Sequence, residues 1–129
     1  MISMQHPVVE EILYQFTEDW VSLGMVRGLV ADEQDFWFRE SGEPTPDDIK
    51  RQSLAVVQFM LSQGLMCTGE PTNDVEDPSD FRDWPERVTE ALARIERDWD
   101  SLVPFGCWFR GTEAGVAAGR AVAEAEGRI

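Results

Sequence analysis

The chain has 129 residues, 43% of them apolar, and carries 25 acidic against 11 basic side chains, a net charge of −14. That length predicts a single acidic globular domain over residues 1–129, able to bury about two-thirds of the surface its unfolded chain exposes, and the apolar content excludes a disordered chain. So negative a surface repels phosphate backbones and anionic lipid, which argues against nucleic acid and membrane and in favour of basic partners.

Along the chain, residues 7–23 predict an amphipathic helix. Pro7 suits a first helical position, where a missing N–H costs nothing. Val9, Ile12, Leu13, Phe16, Trp20 and Leu23 then recur at steps of three and four as one apolar stripe, with Glu10, Glu11, Glu18 and Asp19 alongside. Gly24 interrupts the pattern, and Met25, Val26, Leu29 and Val30 predict a second, short helical segment. The acidic Asp32-Glu33-Gln34-Asp35 leads into Phe36-Trp37-Phe38, the densest aromatic run. That run reads either as a plug into the core or as a hydrophobic anchor for a partner, rimmed by Asp32, Glu33, Asp35 and Glu40. Gly42-Glu43-Pro44 closes it in a turn.

The next helix has the clearest start. Thr45 is placed as N-cap, Pro46 in the first turn and Asp48 three residues after the cap, the spacing of a capping box. Gly64 supplies the left-handed position that ends it, and Leu65-Met66-Cys67-Thr68 predicts a short strand. Residues 69–83 read as a loop rich in Pro, Gly and acid. Asp83 is placed to cap a helix over 84–102, with Pro85 in its first turn and Phe81 and Trp84 as a hydrophobic staple across its entry. In that helix Val88, Leu92, Ile95, Trp99 and Leu102 form a seam that packs on a core, while Arg87, Arg94 and Arg97 stand among Glu90, Glu96 and Asp98 for ion pairs at helical spacing. Pro104 stops it. Cys107-Trp108-Phe109-Arg110 predicts a second strand, and Thr112 caps a last helix from Glu113 to about Glu126, whose Ala and Gly content predicts a fraying end.

Few of these residues suit bond-making chemistry. His6 is the single His and sits near the N-terminus, so no triad or zinc shell forms around it. Cys67 and Cys107 lack further ligands and read as small buried apolar residues. Asp74, Glu76, Asp77 and Asp80 do not have the spacing of a calcium loop and read as a solvated, acidic stretch. Carboxylate pairs are inevitable with so many acids, and no glycine-rich phosphate loop is present. No enzyme activity, metal or cofactor is expected. The absence of a long apolar run and of a leader-like N-terminus predicts a cytoplasmic protein.

From Thr45 to Ala121 the order of elements resembles a winged-helix domain. The pieces that carry the resemblance are Leu61-Ser62-Gln63-Gly64-Leu65, a helix running straight into a first wing strand, and Phe109-Arg110-Gly111-Thr112-Glu113-Ala114-Gly115, a second wing strand running into a helix cap. The resemblance implies a mostly helical α+β fold with a two-stranded hairpin, here carrying an inserted helix at residues 84–102 where the family has a short loop. It also implies a helix that enters a DNA groove. The helix in that place offers only Lys50 and Arg51, preceded by Asp47 and Asp48, whereas a groove reader needs several donors on one face.

Charge is uneven along the chain. Residues 1–86 hold 18 acidic and 5 basic side chains, net −13, and residues 87–129 hold 7 and 6. Acids concentrated around aromatics predict a docking surface. Trp20 and Trp99 lie on predicted core stripes, so Trp37 and Trp108 are the aromatics expected at the surface. The leading expectation is a non-enzymatic acidic protein-binding module, monomer or homodimer, of the immunity or antitoxin type that occludes a basic toxin such as a nuclease. Asp32, Glu33, Asp35, Trp37 and Glu40 would form its contact surface, with Asp74, Glu76, Asp77 and Asp80 as a second patch. The alternative is a winged-helix transcriptional regulator or a degenerate relative, with a basic patch at Lys50, Arg51, Arg87 and Arg94. A third possibility, an orphan subunit of a larger assembly, requires a contiguous exposed apolar patch above ~600 Å².

Overall fold

A computed structural model describes residues 2–33, 44–72 and 81–128. It is mixed α+β and mostly helical. The elements in chain order are α1 (Pro7–Gln15), β1 (Val21–Ser22), α2 (Leu23–Asp32), α3 (Pro46–Ser62), β2 (Met66–Pro71), β3 (Phe81–Asp83), α4 (Val88–Arg97), α5 (Trp99–Leu102), β4 (Trp108–Gly111) and α6 (Glu113–Ala125). The strands form one antiparallel sheet in the order β1-β4-β2-β3.

The local signals that work are those with a hydrogen bond behind them. At the start of α3 the Asp48 N–H donates to Thr45 Oγ1 (3.1 Å) and the Thr45 N–H donates back to Asp48 Oδ2 (3.2 Å), closing the capping box. Gly64 takes φ +70° after that helix, a conformation glycine adopts without a Cβ clash. Thr112 caps α6 by accepting from the Gly115 N–H (3.1 Å), and its own hydroxyl donates to the Gly64 carbonyl (2.6 Å), tying the two helix ends together. The predicted hairpin also forms: β2 and β4 pair with Cys67 opposite Arg110 and Thr68 opposite Phe109, and α4 is inserted between them in sequence.

Four expectations are corrected. The first helix ends at Gln15 instead of running to Leu23: Thr17 Oγ1 donates to the Tyr14 carbonyl (2.7 Å) in the turn that follows, and Val21–Ser22 pairs with Phe109 and Trp108 of β4. Gly24 does not interrupt a helix but lies inside α2, whose cap is Ser22 (Met25 N–H to Ser22 Oγ, 3.1 Å); a Cβ there would collide with Pro104. The loop expected over 69–83 is partly strand, since β2 runs to Pro71 and β3 pairs against it with Gly69 opposite Asp83. The hairpin is thereby part of a four-stranded sheet. Asp83 caps no helix, because Arg110 across the sheet offers its carboxylate two charge-assisted bonds (2.8 and 2.7 Å), stronger than one backbone N–H. α4 starts five residues later, after Arg87, with no side-chain cap.

Three smaller differences concern the same region. Phe81 and Trp84 do not staple a helix entry: the Phe81 ring meets Trp20 (centroids 5.1 Å apart), while Trp84 is buried beneath Arg94 (3.7 Å from ring centroid to Cζ). The ion pairs of Arg94 and Arg97 fall outside three- and four-residue spacing, Arg94 with Glu86 and Arg97 with its neighbour Asp98. Of the seam, Ile95 and Trp99 are buried but Val88 stays exposed, Ala91 being buried one turn along.

The core lies between the helices and one face of the sheet. Val9, Ile12 and Leu13 of α1, Leu23 and Val26 of α2, Val56, Val57 and Met60 of α3, and Val21 and Phe109 of the sheet are all fully buried. Helix α6 packs closely through its glycines: a Cβ at Gly119 would strike the Leu13 carbonyl of α1, and one at Gly115 the Leu65 carbonyl just before β2. The end of α6, expected to fray, is held by Arg128, whose guanidinium pairs with Glu11 (3.1 Å) and lies over the Tyr14 ring (4.1 Å).

Candidate functional site

Side chains alternate between the faces of a sheet, and directly paired residues share a face. Phe109 is paired with Val21 and Thr68, and all three are buried toward the helices. Trp108 and Arg110 therefore point the other way, with their partners Ser22, Gly69 and Cys67 and, one strand further, Asp83. Pro71 and its partner Phe81 share this outer face, and Trp20 stands two residues before Ser22 with the same alternation. Gly69 makes room there, since a Cβ would collide with the Phe81 ring and the Arg82 carbonyl. The Trp20 and Phe81 rings, supplied by opposite edges of the sheet, meet across it.

Beside them Trp108 is held in one orientation. Its indole N–H donates to the Phe105 carbonyl (2.8 Å), and its ring stacks on that of Phe105 (centroids 6.0 Å, planes 21° apart). Phe105 is 67% exposed, the highest value of the three large apolar side chains exposed among the described residues, Met25 and Val88 being the others. A shallow cleft of about 700 Å³ runs between these aromatics and the turn after α1, with Glu18, Asp19, Trp20, Pro71, Trp108 and Arg110 among its walls. Glu18 and Asp19 are both exposed. Glu18 Oε1 accepts from the Tyr14 hydroxyl (3.1 Å), which pushes the Tyr14 pKa up, and Asp19 Oδ1 accepts from the Trp20 N–H (2.7 Å). The one guanidinium in the cleft is neutralised in place. Arg110 is bonded twice to Asp83, and that pairing lowers the Asp83 pKa and raises that of Arg110. What remains is an aromatic surface with uncompensated carboxylates on its border.

The residues singled out from sequence divide in two. Asp32 ends α2 and is exposed; Glu33 follows it half-buried, its N–H donating to the Val30 carbonyl (3.3 Å). Asp35, Trp37 and Glu40, the reading of Phe36–Phe38, and Asp74, Glu76, Asp77 and Asp80 lie outside the described residues. Trp108 is on the outer face as expected for a surface aromatic. Trp20, Phe81, Glu18 and Asp19 were not expected there; the signal for them is the alternation Trp20-Val21-Ser22 and Phe81-Arg82-Asp83 around buried or paired positions.

Of the four basic residues of the regulator alternative, Arg87 is exposed, and Lys50, Arg51 and Arg94 each stand beside a carboxylate or a ring. Lys50 and Arg51 line a cleft of about 590 Å³ that α4 borders through Leu92 and Glu96, so the helix that would enter a DNA groove is flanked by another helix. Arg51 pairs with Asp48 (3.0 Å), Lys50 Nζ stands 6.0 Å over Trp99, and Arg94 is held between Glu86 and Trp84. The thiols occupy different settings. Cys107 is buried, and burial pushes its pKa up to about 12, while Cys67 is half-buried on the outer face. Among the described residues no group of three His, Cys, Asp or Glu side chains is placed to hold a metal ion, and no helix is long and apolar enough to cross a membrane. The sequence matches no known protein family, and comparison with curated proteins and with solved structures likewise gives no match.

Proposed function

We propose that this chain is a non-enzymatic, acidic protein-binding module that docks a basic protein through the outer face of its sheet, in the manner of an immunity or antitoxin-type inhibitor that covers a cationic toxin such as a nuclease. The observation that carries the reading is the set Trp20, Phe105 and Trp108 on that face, bordered by Glu18 and Asp19, in a molecule of net charge −14. Long-range attraction by the acids speeds encounter with a cationic protein and weakens with salt. Burial of the aromatics then sets the lifetime of the complex, because large rigid rings contribute most at the centre of an interface. The winged-helix resemblance read from Thr45 to Ala121 concerns architecture alone, and fold does not carry function. DNA reading is disfavoured by the pairing of Arg51 and Arg94 with carboxylates and by the helix alongside α3.

Affinity capture at low and at high salt, followed by reconstitution of the captured protein, tests the proposal. The expected partner is basic, binds directly, is retained less at high salt, and is lost when Trp20 and Trp108 are replaced by Ala. Capture that yields no basic protein, or one indifferent to both tryptophans, refutes it.

A further inference from the structure

Resting on the docking reading above, we infer that the cleft bordered by Trp20 and Trp108 receives an arginine side chain of the basic partner, with the guanidinium stacked on indole and paired with Glu18 or Asp19. The chain itself shows the arrangement twice. Arg94 lies 3.7 Å over the Trp84 ring and is bonded to Glu86 at 3.0 Å. Arg128 lies 4.1 Å over the Tyr14 ring and is bonded to Glu11 at 3.1 Å. Both sites combine an aromatic face with a carboxylate at the guanidinium edge, the two things a planar, delocalised cation uses together.

The outer cleft repeats the ring and the carboxylate, but its one guanidinium, that of Arg110, is paired with Asp83 and does not lie over a tryptophan. Among the described residues no arginine lies over Trp20 or Trp108, and Arg110, on the cleft wall, is held by two hydrogen bonds to Asp83. Trp108 is pre-set for a guest. Its N–H bond to the Phe105 carbonyl fixes the plane of the ring, and Phe105 stacks on it without being a wall of the cleft. Glu18 and Asp19 each accept one hydrogen bond through one oxygen, which leaves the second oxygen of each carboxylate for a fork-shaped donor. A lysine ammonium, compact and strongly hydrated, satisfies the charge but gains less from the ring.

The test uses a short acetylated oligoarginine peptide and the oligolysine peptide of equal length, titrated into the full chain while the indole N–H resonances are followed by NMR. The inference expects the Trp20 and Trp108 resonances to move, with oligoarginine binding about three- to fivefold more tightly than oligolysine. Trp108→Leu should remove that preference, and Glu18→Gln should weaken both peptides. Equal affinity of the two wild-type titrations, or shifts confined to other indoles, overturns the arginine assignment without needing any variant to fold. If the captured basic partner binds through the outer face while these resonances respond no differently to arginine than to lysine, the inference fails and the docking reading stands. If the peptides discriminate as expected but no basic partner exists, the docking reading fails and the guanidinium site stands.

Discussion

The two faces of the sheet are built from alternate residues of the same strands and meet opposite surroundings. On the inner face Val21, Phe109 and Thr68 are covered by helices and contribute to the core; one residue away on each strand, Ser22, Trp108 and Gly69 lie on the other face, where Trp108 is half-buried while Ser22 and Gly69 are covered. The inner face is aliphatic around one phenylalanine, while the outer one is aromatic, charged and bordered by acid. The contrast teaches that aromatic content alone does not identify a core. A ring contributes to stability where neighbours close over it, and to recognition where it is held in orientation but left accessible.

Several measurements distinguish the two faces. The thiols report the faces directly, because Cys107 is buried two residues before Phe109 and Cys67 lies on the outer side. Burial pushes the Cys107 pKa up to about 12, so it holds far less thiolate near neutral pH than an ordinary cysteine. Alkylation followed by mass spectrometry should leave Cys107 unmodified in the folded protein and label it once the chain is unfolded; rapid native labelling would place it outside the core. Phe109→Ala should cost about 3–5 kcal/mol in urea denaturation, since a fully buried ring is removed. Trp108→Ala, its immediate neighbour, should cost about 1 kcal/mol, and a reversed order would invert the assignment of faces. Gly69→Ala should fall between them at about 1–3 kcal/mol, because the added methyl meets both the Phe81 ring and the Arg82 carbonyl.

The smallest expected effect is electrostatic. Asp83 has its pKa lowered by hydrogen bonds from Arg110, so the pair's contribution is present above the unfolded carboxylate value of about 3.9 and is lost as pH falls through the lower folded value. Both partners are partly exposed, which limits the contribution to below about 1 kcal/mol. Asp83→Asn should therefore lower stability slightly at neutral pH and match the wild type in strong acid. A difference that persists in acid would assign the role of Asp83 to something other than its charge.

Much of the fold is legible in the sequence because single residues announce it. Thr45 with Asp48, Gly64 and Thr112 each place a helix end by one hydrogen bond or one backbone angle. The two short strands are read from their apolar runs, while their pairing as β2 and β4 is implied only by the winged-helix resemblance. The outer face is much less legible. Trp20 falls at a helical step from Phe16, so its strand-like alternation with Val21 and Ser22 is hidden within an apolar stripe of period near 3.6. Phe81 sits three residues before Trp84 and imitates a helix staple. Sixty residues separate Trp20 from Phe81, and they meet only because β1 and β3 join opposite edges of one sheet. Asp83 illustrates the same competition: a capping position in sequence becomes a cross-strand ion pair once Arg110 arrives from 27 residues away.

The most direct test of the outer face as the docking surface is hydroxyl-radical footprinting of the chain alone and bound to its captured basic partner. The account predicts that Trp20, Phe105 and Trp108 are oxidised in the free protein and protected in the complex, while Met25 and Val88 react equally in both. Protection confined to the α3–α4 cleft, with the outer aromatics as reactive as before, would contradict it.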